Sequence, residues 1–234
     1  MSTRTLNREK LADMKAVTRP RRGAPAKGEV SARERILATA NELFYREGIR
    51  AIGVDTVVEQ SGVSKTSLYR LFESKDALIA AFAAERDQSF WAWWDHVEEQ
   101  HADDQRVLLD ALLSGIAERI GRPAYRGCPF LNLMTEFPDQ DHPGRVVARG
   151  NKQEMRARLA TIVAKLGAAD PDRVASQLAL IINGAYATGL FAEPADLRDD
   201  LVDAAHKLLA PSLPGRAIAG RGKDTGKRLV RSRK

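Results

Sequence analysis

The chain has 234 residues, 44% hydrophobic and 29% charged, enough to bury a substantial core and too apolar for disorder along its whole length. Its net charge of +6 sits at the ends: residues 1–30 hold eight basic side chains against three acidic ones, residues 215–234 hold eight against one, and the body between is mildly acidic. A single cysteine, Cys128, excludes an internal disulfide, and the absence of a signal-like start or a membrane-length apolar run predicts a soluble, cytoplasmic protein.

In chain order, residues 1–30 read as a disordered basic tail. Ser31 followed by Glu34 is a capping box, and Ile36, Leu37, Ala40, Leu43 and Phe44 then make one helical stripe that stops at Gly48. A short helix over 54–61, a tight turn at Gly62-Val63 and a second short helix from Ser64 to Phe72 follow. Ser74 caps a longer helix bearing Leu78, Phe82, Phe90, Trp93, Trp94 and Val97. Further helices are predicted over 104–121, 129–136, 143–167, 172–191 and 195–209, punctuated by prolines. Residues 215–234 read as a second disordered basic tail. The expectation is an all-α protein: a three-helix head over 31–84 and a larger helical body over 85–214.

The segment from Gly53 to Phe72 carries the functional signal. Val57, Val58, Val63, Leu68, Leu71 and Phe72 are spaced to hold two short helices across one another, with Gly62 at the bend. Lys65, Thr66, Ser67, Tyr69 and Arg70 are then expected to face outward at the start of the second helix, where a helix enters a major groove. Acidic Asp55 suits the N-terminus of its own helix better than a DNA backbone.

At this point the sequence resembles the TetR family of regulators. The resemblance rests on the first helix ending at Gly48, on Gly62-Val63-Ser64-Lys65-Thr66-Ser67-Leu68-Tyr69, on Phe72, and on Ser74-Lys75-Asp76-Ala77-Leu78, in the family's order and spacing over about residues 31–82. It implies that Lys65, Thr66 and Ser67 contact bases or nearby phosphates, that Tyr69 and Lys75 bind phosphates, and that Arg70 does one or the other. It also implies a homodimer on double-stranded operator DNA, repression as the default, and release by a small-molecule effector. Two recognition helices about 34 Å apart suit a near-palindromic site, and the protein would join the nucleoid when bound.

Leu178, Ile181, Ile182 and Ala185, with Leu201, Ala205 and Leu208, make two stripes expected at the dimer interface; packing within one subunit is the competing reading. Phe90, Trp93, Trp94, Phe130, Leu133, Met134 and Phe137 are candidates to line an effector pocket for an apolar or aromatic molecule, against the alternative that they are plain core. Cys128 reads either as a buried thiol or as an oxidant sensor. No cofactor is expected. His96, His101 and His142 lie near aspartates without a zinc-like spacing. A metal-dependent enzyme is therefore a poor rival, lacking also a phosphate loop or nucleophile elbow. An architectural DNA-binding protein using its basic tails is the other alternative.

Overall fold

The computed structural model describes residues 30–213; apart from Val30, both expected basic tails lie outside the described residues. Among those residues the secondary structure is entirely helical: α1 (Ala32–Glu47), α2 (Val54–Ser61), α3 (Lys65–Leu71), α4 (Lys75–Gln100), α5 (Gln105–Ile120), α6 (Pro129–Glu136), α7 (Pro143–Lys165), α8 (Pro171–Thr188) and α9 (Pro194–Leu209).

Local chemistry sets the helix ends. The capping box forms, with Ser31 Oγ accepting from the Glu34 amide at 3.2 Å and Glu34 accepting from the Ser31 amide at 2.8 Å. Ser64 and Ser74 cap α3 and α4 by accepting from Ser67 N and Ala77 N. Gly62, at φ +65°, makes the left-handed turn between α2 and α3, where a Cβ would be strained. His142, preceding Pro143, caps α7 by accepting from Gly144 N.

The apolar stripe of α1 is buried together with Ile49, Ile52, Val57, Val63, Leu68 and Phe72, and this small core fixes α2 and α3 across one another. Helix α4 leaves that core and continues into the body, so the expected boundary at residue 84 falls inside one helix. In the body α4 packs on α7, α7 on α8, α8 on α9 and α9 on α5. Trp94, Leu109, Leu112, Leu113, Ile116, Leu159 and Leu178 fill the interior. Arg158 ties α7 to α4, pairing with Asp95, Glu98 and Glu154 while its guanidinium lies 4.4 Å above the Trp91 ring.

The stripes expected at a dimer interface point inward. Leu178, Ile182, Ala185, Leu201 and Ala205 are buried inside this subunit, and only Ile181 and Leu208 are partly exposed. Their apolar periodicity records α8 on α7 and α9 on α5. The free face of α8 lies further round the helix, at Leu180, Gly184 and Ala187 and on to Leu190 and Phe191 just past its end. Leu180 is 71% exposed and Phe191 82%.

Candidate functional site

Helix α3 presents Lys65, Thr66, Tyr69 and Arg70 to solvent, with Tyr69 44% exposed. Leu68 on its opposite side is fully buried, which fixes the rotation of the helix. Ser67 departs from its expected outward position. It is 6% exposed, and its hydroxyl accepts from the Ser64 hydroxyl at 2.9 Å. At the third position of α3 it turns back to the cap, so it secures the helix N-terminus.

Lys65 is engaged by Asp55, 2.7 Å away, and this carboxylate raises the lysine's pKa. Asp55 thus holds a cation of the exposed face besides lying in the first turn of its own helix. Lys75 at the start of α4 is half-buried. Burial pulls its pKa down, against the opposing pull of Asp76 and Glu136.

A cavity of about 240 Å³ opens between α4, the α5–α6 loop, α7 and α8. Of the seven side chains expected around an effector, Phe90 and Phe130 line it and the other five do not. Trp94 is buried core, its indole N–H donating to Glu98 at 2.9 Å, and Leu133 is likewise core. Trp93 is wedged against Gly115, where a Cβ would come within 2.6 Å of the ring. Phe137 stacks on His142 with centroids 4.2 Å apart, and the Met134 carbonyl accepts from Arg145. These aromatic and aliphatic residues satisfy the body's own packing.

The wall is instead rich in polar side chains that sequence reasoning passed over: Tyr45, Arg86, Arg119, Lys152 and Tyr186 among them. Cys128 lies in the wall as a buried free thiol. Cations and tyrosines spread over five segments carry no periodic signal that would gather them.

Two of these residues also join the body to the head. The Tyr45 hydroxyl, from α1, donates to the Gly127 carbonyl at 3.0 Å and accepts from the Arg126 amide at 3.1 Å. Arg86, from α4, donates to Asn41 Oδ1 at 3.0 Å and to the Asn41 carbonyl at 3.1 Å, and lies 5.0 Å above the Tyr45 ring. A second joint lies nearby, where the Glu136 carboxylate accepts from the Ile49 and Arg50 amides at 3.2 and 2.8 Å.

The histidines that suggested a metal are dispersed. His96 contacts Gln100 on α4, His101 ends that helix, and His142 sits 3.5 Å from Asp76. Among the described residues no three His, Cys, Asp or Glu side chains are grouped to hold a metal ion, and no helix is long and apolar enough to cross a membrane.

Residues 36–82, covering the head, match the family described as bacterial regulatory proteins, tetR family. A solved chain from Streptomyces avermitilis, described as a TetR transcriptional regulator, is 35% identical, with a TM-score of 0.68 over 78% of this chain and 98% of that one. The chain belongs to the TetR family. A TetR-family transcriptional regulator from Streptomyces coelicolor is 28% identical, with a TM-score of 0.74 over 77% of this chain and 95% of that one. The HTH-type transcriptional regulator YjdC of Escherichia coli is 26% identical over 179 residues, 75% of this chain and 90% of that protein. This TetR-family protein is accordingly a DNA-binding transcriptional regulator with an N-terminal helix-turn-helix, and its family is one of regulators that act as dimers on operator DNA.

Proposed function

We propose that this regulator is a repressor, and that a small molecule held in the cavity between α4, α7 and α8 releases it from its operator. The observation that carries the reading is the double use of Tyr45 and Arg86, which line the cavity and make the hydrogen bonds joining α1 to the body. A ligand that re-engages either side chain acts directly on the orientation of the head. In this reading residues 31–84 form the DNA-binding head and the helices beyond form the effector-binding and dimerisation body, with α4 as the shared rod.

Lys65, Thr66, Tyr69 and Arg70 are the side chains that meet the DNA, with Tyr69 donating to a phosphate and Arg70 meeting a base edge or a phosphate. Lys75 approaches a further phosphate, to which its partly desolvated ammonium binds more strongly than a fully hydrated one. Ser67 acts on DNA through the helix N-terminus it secures. Two subunits meet through the free face of α8 around Leu180 and Phe191, an arrangement supported by the exposure of those large apolar side chains.

The test starts with selection of an operator from randomised duplex DNA at moderate salt. Enrichment of a near-palindromic site, lost on Tyr69→Ala, is expected. Replacing Arg86 with Met should then reduce the response of operator affinity to any effector found, with the head still folded. Sequence-blind binding, or an Arg86→Met protein with a wild-type response, would sink the reading.

A further inference from the structure

The cavity carries a charge imbalance that release from DNA does not by itself require. Arg86, Arg119, Arg122 and Lys152 line it, and no aspartate or glutamate does. Arg86 and Lys152 are held by neutral partners, Asn41 and Asn183. Glu85 acts on Arg86 only from outside the wall, where it bonds Asn41, and Asp87 is engaged by Trp91 and Asn151. Arg119 has no hydrogen bond or ion pair among the described residues; its guanidinium lies 4.3 Å above the Trp93 ring.

Burial lowers the pKa of both Arg86 and Arg119, and Arg122 adds repulsion at Arg119. Half-buried cations gathered without a counter-charge carry a desolvation and repulsion cost that a bound anion relieves. An independent observation concerns Tyr186. This residue is only 8% exposed and lines the cavity, yet its hydroxyl has no hydrogen-bond partner among the described residues. Its carbonyl alone is engaged, by the Tyr125 hydroxyl at 2.8 Å. A hydroxyl donor without a partner, in the same wall as a guanidinium without a counter-charge, is the arrangement that receives a carboxylate.

The remaining wall sets the body of the ligand. Phe90 and Phe130 stand with ring centroids 6.4 Å apart at 81°, an apolar corner for a flat ring. A volume of 240 Å³ is the share of about eight water molecules, which suits a compact molecule.

We propose that the cavity is selective for a small aromatic carboxylate, with its carboxylate between Arg119 and the Tyr186 hydroxyl and its ring against Phe90 and Phe130. This rests on the effector reading above for its consequence at the operator, and on the cavity alone for binding.

Titration calorimetry of the full-length protein without DNA tests it, using benzoate, phenylacetate and 2-naphthoate, each against its neutral amide. The expected result is that at least one acid binds once per subunit, about tenfold or more tighter than its amide. Arg119→Gln removes that preference and Tyr186→Phe weakens the acid several-fold. Circular dichroism checks both folds, and Arg119→Lys, which keeps the charge, retains part of the preference. Amides binding as tightly as acids, no acid binding, or a folded Arg119→Gln protein that still prefers acids each overturns the proposal. Adding the same acid to a preformed operator complex separates the two ideas. Binding without release of DNA keeps the anion site and sinks the effector reading, whereas release by an amide but not by its acid does the reverse.

Discussion

Glu136→Gln probes the joint between α6 and the segment after α1. The wild-type carboxylate accepts from two backbone amides, Ile49 N at 3.2 Å and Arg50 N at 2.8 Å. An amide group keeps one accepting oxygen and turns an NH2 toward the other N–H, so one of the two bonds is lost and the survivor loses its charge. The Arg50 amide is exposed, and water replaces its partner at small cost. Ile49 is almost fully buried, so the remaining oxygen turns to its N–H, and the loss is the difference between a charged and a neutral hydrogen bond, about 1 kcal/mol. The expected loss of stability is therefore about 1 kcal/mol, which for a chain of this size lowers the melting temperature by about 2–4 °C. Thermal unfolding at one fixed protein concentration measures it, since the midpoint of any dimer depends on concentration. The bond from Arg50 Nη1 to the Glu136 carbonyl is untouched, so the head stays attached and operator binding survives at low temperature. A melting temperature within a degree of wild type would refute the reasoning and demote this contact to a solvated surface pair.

Four further outcomes are expected. Asp55→Asn frees Lys65 and removes a negative charge from the DNA-facing side, so operator binding should tighten and the slope of log affinity against log salt should steepen by about one; an unchanged slope in filter binding argues that Lys65 meets no phosphate. Tyr69→Phe should weaken operator binding by about 1–2 kcal/mol with the fold intact, the scale of one well-placed hydrogen bond; unchanged affinity in a gel-shift titration removes that hydroxyl from the interface. Gly189→Ala places a Cβ 2.0 Å from Ile120 Cγ2 and 3.3 Å from Tyr125, so denaturant unfolding should report a loss of about 2–3 kcal/mol, and a stability equal to wild type would mean that the α5–α6 loop yields freely. Leu180→Glu should shift sedimentation at micromolar concentration toward the monomer, and a dimer of wild-type strength would place the interface elsewhere.

Where a residue's role is set by its neighbours in sequence, the sequence was a good guide. The Ser31–Glu34 box, the Ser64 and Ser74 caps, the Gly62 bend and the outward placement of Lys65, Thr66, Tyr69 and Arg70 all follow from spacing within one or two turns. Ser67 lies beside Leu68 at the edge of the outward face, and the cap contact with the Ser64 hydroxyl that buries it is not written in the spacing. The α8 and α9 stripes were legible as apolar faces, but periodicity cannot say whether such a face meets its own subunit or a second one; Leu178 and Ala205 prove to be interior. The cavity was hardest to foresee. Aromatic content points to Trp93, Trp94 and Phe137, which fill space, while Arg119, Lys152 and Tyr186 stand on three helices with no shared spacing and come together only where α5, α7 and α8 pack.

Release of DNA by a ligand demands a difference in ligand affinity between the operator-bound and released forms. Moving an equilibrium from 1:99 to 99:1 takes about 5.5 kcal/mol of that difference. The Arg86 clamp is of the right size to supply much of it. Its guanidinium makes two hydrogen bonds to Asn41 in the head, and hydrogen bonds involving a charged group contribute about 1.5–3 kcal/mol each. A ligand that draws Arg86 into the cavity exchanges those bonds for its own and unfastens α1 from α4. A ligand that lies beside Arg86 without engaging it leaves the head where it was. Tyr45 reinforces the distinction, since its ring lies under the same guanidinium and its hydroxyl bridges to Arg126 and Gly127 on the loop that forms the cavity rim. Binding and release are therefore separable properties of one cavity. Arg119 and Tyr186 would govern how tightly an anion is held, and Arg86 whether the head learns of it. Arg119→Gln should accordingly lower ligand affinity while leaving the extent of release at saturation unchanged, and Arg86→Met should reduce the extent of release at saturation. Equal losses of both properties in both variants would mean that the wall acts as one unit, with no dedicated link to the head.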